Sequence, residues 1–142
     1  MVLAALVLLL AGCSGDDAPT TDGTGPTGDT GAPAAAPTFT RVNADLFRTS
    51  CALSGCHASA ASGNGLALVE GEEYASLVDA PSLFAPGEVL VIPGDPDGSY
   101  VVKKITGAEG IEGDPMPPPF GTLDPRLLAE LRAWIEAGAL DN

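Results

Sequence analysis

Residues 14–37 hold no large apolar side chain, and nothing else in the chain limits its folding as severely. Fixing the backbone of one residue costs about 1–2 kcal/mol. A stretch made of Gly, Pro, Ala, Thr, Asp and Ser buries too little to offset that cost. Any packed core must therefore come from the residues that follow. Composition changes there: aromatic and aliphatic side chains gather from Phe39 onward, and every Lys and Arg of the chain lies beyond that point.

Ahead of this stretch, residues 2–10 are all apolar, and Leu10-Ala11-Gly12-Cys13 follows them. A short apolar run ending in small residues is the pattern of a secretory signal, and it is too short to span a bilayer. No Lys or Arg precedes the run, a departure from the usual basic start. The cysteine directly after the junction resembles the lipobox of bacterial lipoproteins. That resemblance implies a diacylglycerol on the Cys13 thiol, cleavage before it, and a protein held on a membrane surface by acyl chains. The alternative is a spare cysteine behind an ordinary signal. The chain thus divides into a lipoprotein signal peptide over residues 1–12, lipidated Cys13 with a flexible tether over 13–37, and a folded domain over 38–142. Pro26, Pro33 and Pro37 give the tether some extended stiffness. The implied location is the periplasmic face of the inner or outer membrane.

The formal charge is −13, none of it in the apolar segment, so phosphate backbones repel the protein and nucleic acid is excluded as a partner. From Phe39 onward there are 15 acidic and 6 basic side chains, a balance of −9. A partner steered by charge then presents a basic face.

The domain reads as mostly helical and rich in loops. Asn43 is a capping residue for a helix over residues 44–50, with Leu46 and Phe47 inward. Residues 62–65 read as a turn, Leu66 and Leu68 as a short extended piece, and residues 72–79 as a brief helix with Tyr74, Leu77 and Val78 inward. The β-branched run at 89–92 is stopped by Pro93-Gly94-Asp95-Pro96. Asp97 or Ser99 then caps a helix to Lys104 or Ile105, with Tyr100, Val101 and Ile105 toward the core and the two lysines outward. A stiff loop over residues 107–121 carries Met116 among prolines. The last helix has the clearest signals: Asp124 as cap, Pro125 at its first position, Gly138 past its end, and Leu127, Leu128, Leu131, Trp134 and Ile135 as its apolar stripe.

Cys51-Ala52-Leu53-Ser54-Gly55-Cys56-His57 places a histidine directly after the second of two nearby cysteines, a variant of the C-x-x-C-H haem attachment signature. In that chemistry two thiols add to the vinyl groups of haem while the adjoining imidazole coordinates iron. Here the cysteines are five apart, about 500° around a regular helix, so the intervening backbone must loop outward. Ser54-Gly55 suits such a loop. Beyond the apolar segment the chain holds a single methionine, Met116, and a single histidine, His57, which makes Met116 the candidate for the second axial ligand. A thioether opposite an imidazole raises the reduction potential and leaves no open position for substrate.

The order of the haem motif, Pro-Gly-Asp-Pro-Asp-Gly-Ser-Tyr, the Met-Pro loop and Trp-Ile-Glu-Ala-Gly-Ala resembles c-type cytochrome domains, especially the planctomycete type. The likeness covers about residues 39–140. It implies a class I cytochrome c fold with the first and last helices packed across each other and one covalent haem c in the cleft. Carried over residue by residue, it assigns Cys51, Cys56, His57 and Met116 to the cofactor, with His57 and Met116 on the iron. The four-residue spacing between the cysteines departs from the common form of the motif.

The function this implies is electron transfer by a membrane-tethered cytochrome, with redox proteins as partners and no catalytic residues. A disulfide between Cys51 and Cys56 is the main alternative, giving a non-redox lipoprotein module for surface interactions. It closes a short loop and stabilises little, and it leaves His57 and Met116 without a shared purpose. A zinc site would have to recruit Glu70 or Glu72 as a fourth ligand. Met116 as a plain core residue is the common role of methionine. The acids at 95 and 97 fall short of a calcium cage, and a plain turn is expected.

Overall fold

A computed structural model describes residues 35–118 and 123–142. The chain divides into units Met1–Ala32 and Pro33–Asn142. The expected signal peptide, Cys13 and nearly all of the expected tether lie outside the described residues, as do residues 119–122 of the Met116 loop.

Regular structure among the described residues is helical, as expected, and extended pairing is limited to single bridges. The first helix, α1 (Phe39–Val42), runs without a break into a π-helical segment, Asn43–Cys51. The remaining helices are α2 (Glu73–Leu77), α3 (Tyr100–Thr106) and α4 (Pro125–Glu136).

The helix expected over residues 44–50, with Asn43 as its cap, begins five residues earlier. Thr38 is its cap, its hydroxyl accepting from Arg41 N at 3.2 Å. Asn43 already lies inside, donating its N–H to the Phe39 and Thr40 carbonyls. The π-helical turns that follow have a local cause. The Thr49 hydroxyl donates to the Asp45 carbonyl at 2.6 Å, the acceptor an α-helical N–H would use, and such back-bonding competes with the regular ladder. The segment closes with Ala52 N donating to Phe47 O at 2.7 Å, a five-residue step.

Helix α4 forms as its sequence signals dictate. Asp124 accepts from Arg126 N at 2.9 Å, and Pro125 opens the helix. Its stripe is graded: Leu131, Trp134 and Ile135 are fully buried, while Leu127 and Leu128 are half-buried against them. Opposite lie Phe39, Val42, Leu46 and Phe47, so the first and last helices pack against each other in one core with Leu77, Val91 and Val102. The ends of the unit are tied together, with Phe39 N donating to Asn142 Oδ1 and Thr40 N to Asn142 O, both at 2.9 Å.

The run at 89–92 meets residues 78–81 through bridges Val78 to Val91 and Pro81 to Val89. Its carbonyls also satisfy the orphan amides at the start of α3: Tyr100 N donates to Val89 O at 2.9 Å and Val101 N to Leu90 O at 3.0 Å. Ser99 stands at the cap position of α3, but its hydroxyl serves the preceding turn, accepting from Ile92 N at 2.8 Å and donating to Asp95 O at 2.7 Å. That turn is plain, as expected. Asp95 accepts from Gly98 N at 2.8 Å and Asp97 pairs with Arg132 at 2.7 Å, so both carboxylates are engaged.

The expectation for α3 is corrected at Lys104. Val101 and Ile105 pack half-buried against the core beside buried Tyr100, as expected, and Val102, which the sequence reading did not single out, is buried more fully than either. Lys103 does point to the surface, where it pairs with Glu88 at 2.7 Å. Lys104 instead turns onto the Met116 loop, its Nζ donating to Glu112 O at 2.8 Å and to Asp114 O.

Candidate cofactor site

The loop from Cys51 to His57 is closed by backbone hydrogen bonds. Cys56 N donates to Leu53 O at 2.9 Å, and His57 N donates to Cys51 O at 3.0 Å. In a regular helix the N–H that bonds the carbonyl of residue i belongs to residue i+4, which is where a two-residue spacing between cysteines would put the histidine. Here residue i+6 makes that bond, and the extra residues are extruded. Gly55 permits this turn at φ +82°, a left-handed conformation costly for other residues. The outward loop that the spacing demands is thus formed, and the histidine keeps its amide on the first cysteine's carbonyl.

His57 is clamped by the segment that follows it. Leu68 N donates to His57 O at 2.7 Å, and His57 Nδ1 lies 3.4 Å from Leu66 O. Nδ1 is the natural seat of the imidazole proton when a carbonyl faces it, and Nε2 then keeps the lone pair a metal ion requires. Gly63 allows this approach. A Cβ there would sit 2.6 Å from His57 Nδ1 and collide with the Leu66 carbonyl.

Cys51, Cys56, His57 and Met116 all line one cavity of about 840 Å³, within the roughly 300–1,000 Å³ of small-molecule and cofactor sites. Its walls are largely aliphatic and aromatic, with Leu46, Phe47, Leu66, Leu68, Leu77 and Ile105 among them. Both cysteines are half-buried and free. Burial, and then the neighbouring Cys56, push the Cys51 thiol up to about 11. Among the described residues no three His, Cys, Asp or Glu side chains converge as a metal cluster. Glu70, one carboxylate a zinc site would need, is paired with Arg48 at 3.1 Å instead.

The donor set and the shape fit haem. Two free thiols, an imidazole and a thioether sulfur belong to residues that line the same cavity, and the lining is mainly apolar.

Trp134 is buried in the core, its Nε1 donating to Leu140 O at 2.9 Å and its ring 5.4 Å from that of Phe39. Tyr100 lines the cavity, and its hydroxyl accepts from Glu112 N at 3.0 Å.

Other residues of the site had not been singled out from sequence. Lys104 lines the cavity as its one lysine or arginine among the described residues. Leu83 and Phe84 also line it, and they are 74% and 49% exposed at the tip of a turn closed by Ser82 N donating to Glu88 O at 2.8 Å. Adjacent large apolar residues in the proline-bounded stretch Pro81-Ser82-Leu83-Phe84-Ala85-Pro86 are the available signal. Compared with protein-family models, with curated proteins and with solved structures, the chain finds no match.

Proposed function

We propose that this chain is an exported, lipid-anchored c-type cytochrome that carries electrons with a single covalent haem. The observation that supports the reading is that Cys51, Cys56, His57 and Met116 line the same cavity. A single covalent cofactor gives these four residues one shared use. Cys51 and Cys56 would hold the porphyrin through thioether bonds, each thiol adding across a vinyl group. His57 and Met116 would be the axial ligands, in an arrangement like that of class I cytochromes c. Haem bound this way supplies a one-electron iron couple of raised potential.

The chain's own residues then have separable tasks. The bond from His57 N to the Cys51 carbonyl fixes the histidine relative to the first thiol. The Leu66 carbonyl orients the imidazole. The apolar lining excludes water, which lowers the local dielectric around the iron. The excess of acidic side chains favours brief docking with redox proteins that present a basic face, and such docking weakens with salt.

The test is expression with a haem-attachment system, followed by reduced-minus-oxidised visible spectra and intact mass. Haem bands and a mass increase of one haem are expected. His57→Ala should prevent holoprotein formation, and Met116→Ala should abolish the methionine-to-iron charge-transfer band while the haem stays attached. Colourless protein from a competent host, with the thiols bridged to each other, would overturn the reading.

A further inference from the structure

We propose that Lys104 is a positioning residue that holds Met116 at the cavity wall, an inference that rests on the haem reading of this site. The Met116 loop cannot hold itself. Pro115, Pro117 and Pro118 have no backbone N–H, so Met116 offers the one amide donor across residues 115–118. That amide donates to Lys104 O at 2.8 Å. The same lysine acts a second time through its side chain, its Nζ donating to Glu112 O at 2.8 Å and to Asp114 O. Lys104 therefore grips the loop on both sides of Pro115, once as acceptor and twice as donor.

Tyr100, one turn earlier on α3, adds a further hold at the start of this stretch by accepting from Glu112 N at 3.0 Å. Pro115 packs onto the end of α3, where a Cβ on Gly107 would meet its Cγ at 3.3 Å. Met116 is thus placed by one face of a helix whose opposite face is anchored in the core by Val102. The ammonium suits the task better than a neutral group, since charge-assisted hydrogen bonds to two carbonyls are roughly twice as strong as neutral ones.

The experiment compares wild-type protein, purified after maturation with a haem-attachment system, with Lys104→Met, Lys104→Gln and Lys104→Arg. The readouts are amide exchange at Met116 and the methionine-to-iron charge-transfer band. Lys104→Met keeps the stem and removes the donors. It should speed Met116 exchange about tenfold or more, and it should weaken the band while haem content stays at the wild-type level. Lys104→Gln, with a shorter neutral donor, should fall between, and Lys104→Arg should recover toward wild type. Should Lys104→Met fail to fold, the ordering of Gln, Arg and wild type still decides. Wild-type exchange and an undiminished band in both Lys104→Met and Lys104→Gln would overturn the positioning role. Wild-type protein without haem bands would end the haem reading instead, while the exchange comparison would still judge the grip of Lys104 on the loop.

Discussion

The Cys51 thiol shows how the fold sets the reactivity of a single atom. Burial is the larger cause and the Cys56 neighbour the smaller, and together they push it up to about 11 from an ordinary 9.0. Since the thiolate is the nucleophile, haem-free protein should alkylate slowly at Cys51 at neutral pH, with a rate that climbs until about pH 11. Peptide mass spectrometry after timed iodoacetamide treatment measures this, and a midpoint near 9 would contradict it. The stability consequence has a definite sign. Between pH 9 and about 11 the unfolded chain has released this proton and the folded one has not, so stability should fall with rising pH in that window. Cys51→Ala should flatten that part of the denaturation profile. The residues of the site were legible in sequence to the extent that their chemistry is rare: paired cysteines, the single histidine and the methionine beyond the apolar segment. Lys104 was not, because a lysine on a short helix reads as outward unless a loop returns over it. That return is made by contacts 8 to 10 residues away that leave no periodic trace.

At the scale of elements, α4 was readable because cap, first-turn proline, stripe and terminal glycine agree. The first helix was misplaced because two capping residues compete for its start. Thr38 and Asn43 are both good caps, yet Phe39, Val42 and Leu46 follow a three-then-four spacing that only the earlier start accommodates. The structure gives the cap to Thr38. Thr38→Ala should therefore cost about 0.5–2 kcal/mol of stability, measured by urea denaturation of the purified protein. Asn43 is no rival for that cap, because its N–H already bonds within the helix and its side chain serves the buried Glu73 carboxylate, helping to hold it in the charged form. An unchanged stability in Thr38→Ala would take the cap from Thr38. The π-helical continuation had no signature beyond Thr49. Its competing bond to Asp45 becomes visible only once the backbone is placed.

For the molecule as a whole, the helical class followed from short elements broken by proline and glycine, whereas the closure of the unit did not. The bonds that tie Phe39 and Thr40 to Asn142 join positions 102 to 103 residues apart, and no local pattern encodes them. The proposed attachment to a membrane is a separate matter, assigned to the segment before Phe39. No helix among the described residues is long and apolar enough to cross a membrane, so the proposed attachment rests on Cys13 and its acyl chains. Each buried methylene contributes about 0.8 kcal/mol, and a diacylglycerol with an added amide-linked chain anchors stably where a single chain would not. Wild-type protein should therefore sediment with membranes and carry the corresponding added mass. Cys13→Ser should move it to the soluble fraction while the haem spectrum stays unchanged, because Cys51, Cys56, His57 and Met116 all belong to the unit that begins at Pro33. A Cys13→Ser protein that sediments as fully as wild type would remove the lipid from the proposal and leave the cofactor site untouched.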